Sequence, residues 1–208
     1  MEEGFLLFKG EEMLGPEYHL KPVTEQSVQY LWLQKAAQTV EDWLTDSESS
    51  ADKPWQEILD PELAGIFVFA TEGNPWGIQP MEPVAYISQQ EIAHAKEDKP
   101  AIHEITSVVV NPNLRGKGIG TALVADYAMD LQEFQFKQPT LVALASEESF
   151  KLFDKAKFVG ISAEQMAAMA PEFKARAAKI GKIPVQRISE QPPKFDTDEA
   201  VMAPGSLV

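Results

Sequence analysis

Apolar and polar positions repeat with two different periods along this chain, and the balance between them shifts after residue 110. Up to residue 110 the signal is mostly that of strands. Ile66-Phe67-Val68-Phe69-Ala70 is a β-rich run that ends in the turn cluster Gly73-Asn74-Pro75. Residues 83–89 and Ile102–Val110 read as further strands, with the polar residues 93–100 as a hairpin loop between them. Strands joined mostly by turns predict antiparallel pairing. A short strand over residues 18–23 precedes them. Thr24 is placed to cap a helix with Glu25 in its first turn, and Val28, Leu31, Trp32, Ala36, Val40 and Trp43 follow at helical spacing. Residues 46–54 form a polar loop, and residues 55–63 a short helical stretch.

Beyond Asn111-Pro112 the period becomes helical. Ile119, Leu123, Tyr127, Leu131 and Phe134 recur mostly every fourth residue, giving a helix with one apolar stripe. Thr140–Ala145 has few polar groups and predicts a strand buried on both faces. A strand, helix, strand unit of this kind implies a parallel pair with a right-handed crossover. Ser146 can cap the next helix, with Glu147 and Glu148 complementing its dipole, and Phe150, Leu152, Phe153 and Ala156 as its apolar face. Phe158-Val159 starts another strand. Residues 162–179 are Ala/Met-rich and helical, with Pro171 in a first turn or at a break. Residues 183–188 read as a strand, Gln191-Pro192-Pro193 as a loop and residues 199–203 as a last short strand. The sum is an α+β fold with a mixed, largely antiparallel sheet. Its 208 residues suit one domain, with residues 1–16 as an N-terminal extension and 160–208 as a C-terminal segment of its own character.

Composition narrows the field. A 44% hydrophobic content supports a buried core. No apolar run approaches the roughly 18 residues of a membrane span, and the start MEEGFLLF is acidic where a secretory signal would be basic. The chain has no cysteine, hence no disulfide, thiolate metal site or cysteine nucleophile. The expectation is a cytoplasmic protein without metal or membrane partner. A formal net charge of −14 argues against a nucleic-acid surface. It suits a cationic substrate, or serves solubility alone.

The chemistry concentrates where the period changes. Arg115-Gly116-Lys117-Gly118-Ile119-Gly120 lies between a predicted strand and a predicted helix. Glycines remove side chains from successive backbone amides there, and the helix dipole makes the place an anion site, usually for phosphate. A turn that needs glycine only for its geometry is the competing reading. A Walker loop would place Ser or Thr after the lysine, whereas Lys117 is followed by Gly118. A dinucleotide fingerprint would need a third glycine where Thr121 stands, although Glu147 after the next strand leaves that reading open.

The stretch Val108-Val109-Val110-Asn111-Pro112-x-x-Arg115-Gly116-Lys117-Gly118-Ile119-Gly120 resembles the GNAT N-acetyltransferase superfamily, whose signature is Arg/Gln-x-x-Gly-x-Gly/Ala. Leu152-Phe153-Asp154-Lys155-Ala156-Lys157-Phe158 is similar to the family's Leu-Tyr-x-Lys-x-Gly-Phe block, and residues 19–24 to its first strand and helix entry. The resemblance runs from about residue 17 to 160. It implies that backbone amides of Arg115, Gly116, Lys117, Gly118, Ile119, Gly120 and Thr121 cradle the pyrophosphate of acetyl-CoA, while main-chain groups of Val108, Val109 and Val110 pair with the pantetheine arm. Lys117 either reaches a phosphate or is a solvated surface lysine.

The reaction so implied is transfer of an acetyl group to a primary amine, cationic in keeping with the charge, by direct attack in a ternary complex. It needs a base and a proton donor for the departing thiolate. Glu104, eleven residues before Arg115, matches the place where some members carry a glutamate base. Burial in an apolar strand would suit it to that task. The competing reading is a strand residue in solvent or one paired with a lysine. His103 falls on the opposite face by alternation unless a bulge intervenes. Phe153 stands where many members have a proton-donating tyrosine. The thiolate proton then falls to water, Ser146 or Ser149, or the chain is a slow or non-catalytic acyl-CoA-binding module. A homodimer through residues 162–179 is a further expectation.

Overall fold

Seven strands form one sheet in the order β1-β2-β3-β4-β5-β7-β6. They are β1 (Tyr18–Pro22), β2 (Ile66–Ala70), β3 (Pro83–Ala93), β4 (Ile102–Val110), β5 (Thr140–Ala145), β6 (Phe158–Gly160) and β7 (Ile183–Arg187). The structure is a computed structural model and describes residues 18–45, 55–70, 82–95, 100–134, 139–180 and 182–187. The expected turn at Gly73-Asn74-Pro75, the loop at 46–54, the loop at Gln191-Pro192-Pro193 and the strand at 199–203 lie outside the described residues, as does the extension 1–16. Every adjacent pair is antiparallel except β4 with β5. The mixed, largely antiparallel sheet expected from the sequence is therefore the one present.

Helices cover both faces. On one lie α3 (Ile119–Phe134) and α4 (Glu147–Lys155). Leu123, Val124, Tyr127, Ala128 and Leu131 of α3 pack with Ile87 of β3, Ile105 of β4 and Leu141 and Ala143 of β5. A fully buried side chain such as Leu131 is worth about 1.5–3 kcal/mol, so this stripe holds the crossover to the sheet. On the other face α1 (Leu31–Thr45) sets Leu33, Ala36, Ala37 and Val40 against Phe67, Phe69, Tyr86 and Val109. The short α2 (Trp55–Ile58) adds Ile58 to that cluster, and a 3-10 turn, Pro61–Leu63, follows it. Further along the same face, α5 (Ala163–Ala168) and α6 (Pro171–Ile180) bring Met169 and Phe173 onto Val142.

Three sequence expectations need correction. Thr24 does not cap a helix, because Thr24 and Ser27 bond reciprocally, Thr24 N to Ser27 Oγ at 2.8 Å and Ser27 N to Thr24 Oγ1 at 3.2 Å. That local pair closes one turn, and Glu25 and Val28 fall in turns before α1 starts at Leu31. Strand β3 continues past Gln89 to Ala93, since pairing with β4 stabilises Gln90 and Glu91 in spite of their polarity. Residues 55–63 divide into a four-residue helix and the 3-10 turn that Asp60 caps, Glu62 N donating to Asp60 Oδ1 at 3.0 Å. Pro171 falls as expected in a first turn, opening a second helix after a break at Met169, whose backbone is extended.

Candidate active site

The site begins where β4 and β5 part. The two strands pair in parallel from Ile102↔Thr140 to Ile105↔Ala143. Beyond that, among the described residues, β4 stays with β3 and β5 stays with β7. A bulge is the cause: Ser88 of β3 faces Ser107 while Gln89 faces Ile105, so Thr106 is an extra residue that bends β4 away. Ser88 Oγ and Thr106 Oγ1 hydrogen bond at 2.8 Å across it. The opening exposes one edge of the β4 backbone at Val108, Val109 and Val110. The Val109 side chain is buried in the α1 cluster, and those of Val108 and Val110 are half-buried on the α3 face.

The glycine turn closes one end of this opening. Asn111 ties it to the sheet, its N–H donating to Val84 O at 2.9 Å while its Oδ1 accepts from Asn113 N at 3.0 Å. Gly116 and Gly118 have φ of +81° and +86°, and a Cβ at either would meet nothing within 4 Å. They are glycine for backbone conformation, not for space. Gly120 is the reverse case: a Cβ there would stand 2.8 Å from Leu152 Cδ1 of α4 and 3.3 Å from Val110 Cγ2. Backbone bonding into α3 starts with Ala122 N to Gly118 O at 3.0 Å. Among the described residues, the amides of residues 116–121 (Gly116, Lys117, Gly118, Ile119, Gly120 and Thr121) donate to no protein acceptor. Arg115 Nε donates to Val110 O at 3.3 Å, and the exposed Lys117 adds a second cation. Free amides, a helix N-terminus and two cations fit a phosphate anion.

Glu104 lies on the opposite side of the sheet from α3, beside its register partner Val142, and is only 4% exposed. Its Oε2 accepts from Arg176 Nη2 of α6 and, at 3.3 Å, from Gln90 Nε2 of β3. It is thus buried and paired, with an arginine where the sequence suggested a lysine. On the same face stand Ser88 and Tyr86, whose hydroxyl donates to Ile58 O at 3.0 Å. Burial pushes the Tyr86 hydroxyl up to about 12, Asp60 adding to this and a hydrogen bond with Ser88 opposing it. An open cavity of about 430 Å³ lies on the α1–α2 side, lined by Val28, Gln56, Glu57, Leu59, Asp60 and Pro61.

His103 points the other way, as alternation requires, because the bulge falls after Glu104. Its Nδ1 meets Gln89 Oε1 at 2.7 Å, and its Nε2 is buried without a hydrogen bond. Burial lowers its pKa, against the raising influence of Glu91.

Ser146 follows β5 and caps α4. Ser149 N donates to Ser146 Oγ at 3.2 Å, Ser146 N to Ser149 Oγ at 2.8 Å, and Ser146 Oγ to Ser149 Oγ at 3.0 Å. Phe153 is buried edge-on against Phe158, ring centres 5.2 Å apart. Lys157 adopts a left-handed backbone, φ 65°. Among the described residues no group of three or more His, Asp or Glu side chains is placed to hold a metal ion, and no helix is long and apolar enough to cross a membrane.

The sequence model of the acetyltransferase (GNAT) family matches residues 26–158, and the chain belongs to that family. No curated protein matches the sequence. Solved structures share its fold. Tetrahymena GCN5 is 11% identical, with a TM-score of 0.54 over 81% of this chain and 94% of that one. Arabidopsis thaliana Naa50, in complex with the bisubstrate analogue CoA-Ac-MVNAL, is 15% identical, with a TM-score of 0.51 over 83% and 99%. N-acetylglutamate synthase from Neisseria gonorrhoeae, complexed with coenzyme A and N-acetyl-glutamate, is 12% identical, with a TM-score of 0.55 over 82% of this chain and 34% of that one.

Sequence reasoning missed Arg176 and Tyr86. Arg176 lies 72 residues from Glu104. Its one sequence signal is the Phe173-x-x-Arg176 spacing, which puts both on one side of a helix.

Proposed function

We propose that the chain is an acetyl-CoA-dependent N-acetyltransferase that acetylates a primary amine by direct attack in a ternary complex. The observation that carries the reading is the opening between β4 and β5. One end presents the unbonded amides of residues 116–121, and buried Glu104 stands where the two strands are still paired. Family membership supplies the acetyl transfer, and the Naa50 and N-acetylglutamate synthase structures hold CoA or a CoA conjugate.

Acetyl-CoA would supply the activated acyl thioester. In this reading the amides from Gly116 to Thr121 hold its pyrophosphate, the Arg115 amide expected among them being taken by Pro112 O at 3.4 Å, and the open β4 edge at Val108–Val110 aligns its arm like an added strand. Glu104 takes the proton released by the acceptor amine, through water. Ser146, just after β5, turns its hydroxyl from Ser149 to the departing sulfur and relays a proton to it from water, so that the thiol leaves neutral and Ser146 remains a hydroxyl. Glu57 and Asp60 on the cavity of the α1–α2 side, together with the net charge of −14, favour a cationic acceptor.

The test is release of CoA thiol from acetyl-CoA over a panel of primary amines. A thiol reagent reads it without protein background, because the chain has no cysteine. Glu104→Gln should lower turnover by about a hundredfold or more while CoA affinity stays within twofold. Undiminished turnover would remove Glu104 from the mechanism. Phe153, a buried ring at the tyrosine position of the family pattern, favours a second reading, a non-catalytic acyl-CoA-binding module. CoA binding without turnover on any amine would select it.

A further inference from the structure

We infer that Arg176 is a positioning residue of this site: delivered by α6, its guanidinium holds the Glu104 carboxylate in place on the acceptor face. The inference rests on the reading of Glu104 as the base. Strands β6 and β7 are antiparallel neighbours, yet Gly160 and Ile183 are joined by two helices and not by a hairpin. The chain enters α5 through a capping box, Ser162 with Gln165, and breaks at Met169. Pro171 then restarts it as α6, since proline suits a first helical position. Phe173 is fully buried against Val142, the register partner of Glu104. Arg176 lies one turn further on the same side of α6, so the Phe173 anchor sets it over the carboxylate.

Among the described residues, Glu104 is the polar partner of Arg176. The Arg176 side chain is 41% exposed, its Nε is buried with no hydrogen bond, and its Nη2 donates to Glu104 Oε2. Gln90 of β3 touches the same oxygen and carries no charge, Val142 of β5 is apolar, and His103 faces away. Arg176 is a cation held on that carboxylate, and through it the helical insert between β6 and β7 becomes part of the active site.

The test compares full-length wild type, Arg176→Gln and Arg176→Lys, each checked for a cooperative melt. Arg176→Gln should lower kcat at least tenfold with unchanged acetyl-CoA affinity. It should also move the acid limb of the kcat/KM profile up by about one pH unit, since a nearby opposite charge shifts a carboxylate by one to three. Arg176→Lys should keep the limb near its wild-type position. In a Glu104→Gln background, Arg176→Gln should cost nothing further. An unmoved limb in folded Arg176→Gln, or losses that multiply in the double variant, would overturn the role. The carboxyl 13C titration of Glu104 reads the same effect without turnover. If no amine is acetylated, a shifted midpoint in Arg176→Gln keeps the pairing while the acetyltransferase reading fails, and an unshifted one overturns the pairing itself.

Discussion

Replacing Gly118 by alanine separates the conformational use of the turn from its use in binding. Gly118 has φ +86° and open space around its missing Cβ, so the substitution meets backbone strain and no clash. Left-handed backbone costs a non-glycine residue about 1–2 kcal/mol. In a chain of this size that amounts to a fall in Tm of about 2–8 °C. Relief of the strain swings φ negative and turns the amides of Gly118 and Ile119 out of the cradle. Hydrogen bonds to a charged group are worth about 1.5–3 kcal/mol each, so losing two weakens CoA by a hundredfold or more. Gly120→Ala is the control. Its backbone is helical, alanine there gains up to about 1 kcal/mol of propensity, and the contact at 2.8 Å is with the end of a leucine side chain. Calorimetric titration with CoA and a thermal melt read both quantities. If Gly118→Ala shows the stability loss but binds CoA as tightly as wild type, the turn amides do not hold the pyrophosphate.

Three further outcomes follow from the same geometry. His103 is buried neutral with a lowered pKa, so the unfolded chain binds its proton first. Stability that is complete above about pH 6.5 is lost as pH falls below it, and the Tm advantage of wild type over His103→Gln should shrink from pH 7 to 5; parallel curves would contradict this. Tyr86→Phe leaves Ile58 O without its donor and should cost about 1–3 kcal/mol in a denaturant titration. Wild type should lose stability above pH 10 more steeply than this variant, because in wild type two buried tyrosines, Tyr86 and Tyr127, ionise first in the unfolded chain and in the variant only Tyr127 does. Ser146→Ala should cost about 1 kcal/mol through the lost cap and slow turnover at least tenfold if its hydroxyl is the proton donor; unchanged kcat would confine Ser146 to the cap.

What the sequence made legible was local. The β-branched run Ile102–Val110, the glycines at 116, 118 and 120 and the four-residue apolar repeat of α3 each announce themselves within a few positions, and together they mark the strand–turn–helix unit on which the proposed anion site rests. Glu104 was legible as a carboxylate inside an apolar strand, and its face followed from alternation because the bulge lies at Thr106, past it. Thr24 misled because a cap and a reciprocal Thr–Ser turn share the same composition. The end of β3 was hidden because Gln90 and Glu91 owe their extended backbone to β4, a tertiary cause that overrides propensity. Arg176 was out of reach for the same reason at longer range: nothing near it in sequence marks the strand that α6 crosses.

In the proposed function the turn from Arg115 to Thr121 binds the pyrophosphate of acetyl-CoA. The direct measurement is the melting temperature with acetyl-CoA, free CoA and NAD. At a hundred times its dissociation constant a ligand adds about 2.7 kcal/mol, a rise of about 5–11 °C here. That rise is expected with acetyl-CoA and with CoA, and none with NAD. No rise with either CoA species, or an equal one with NAD, would contradict it.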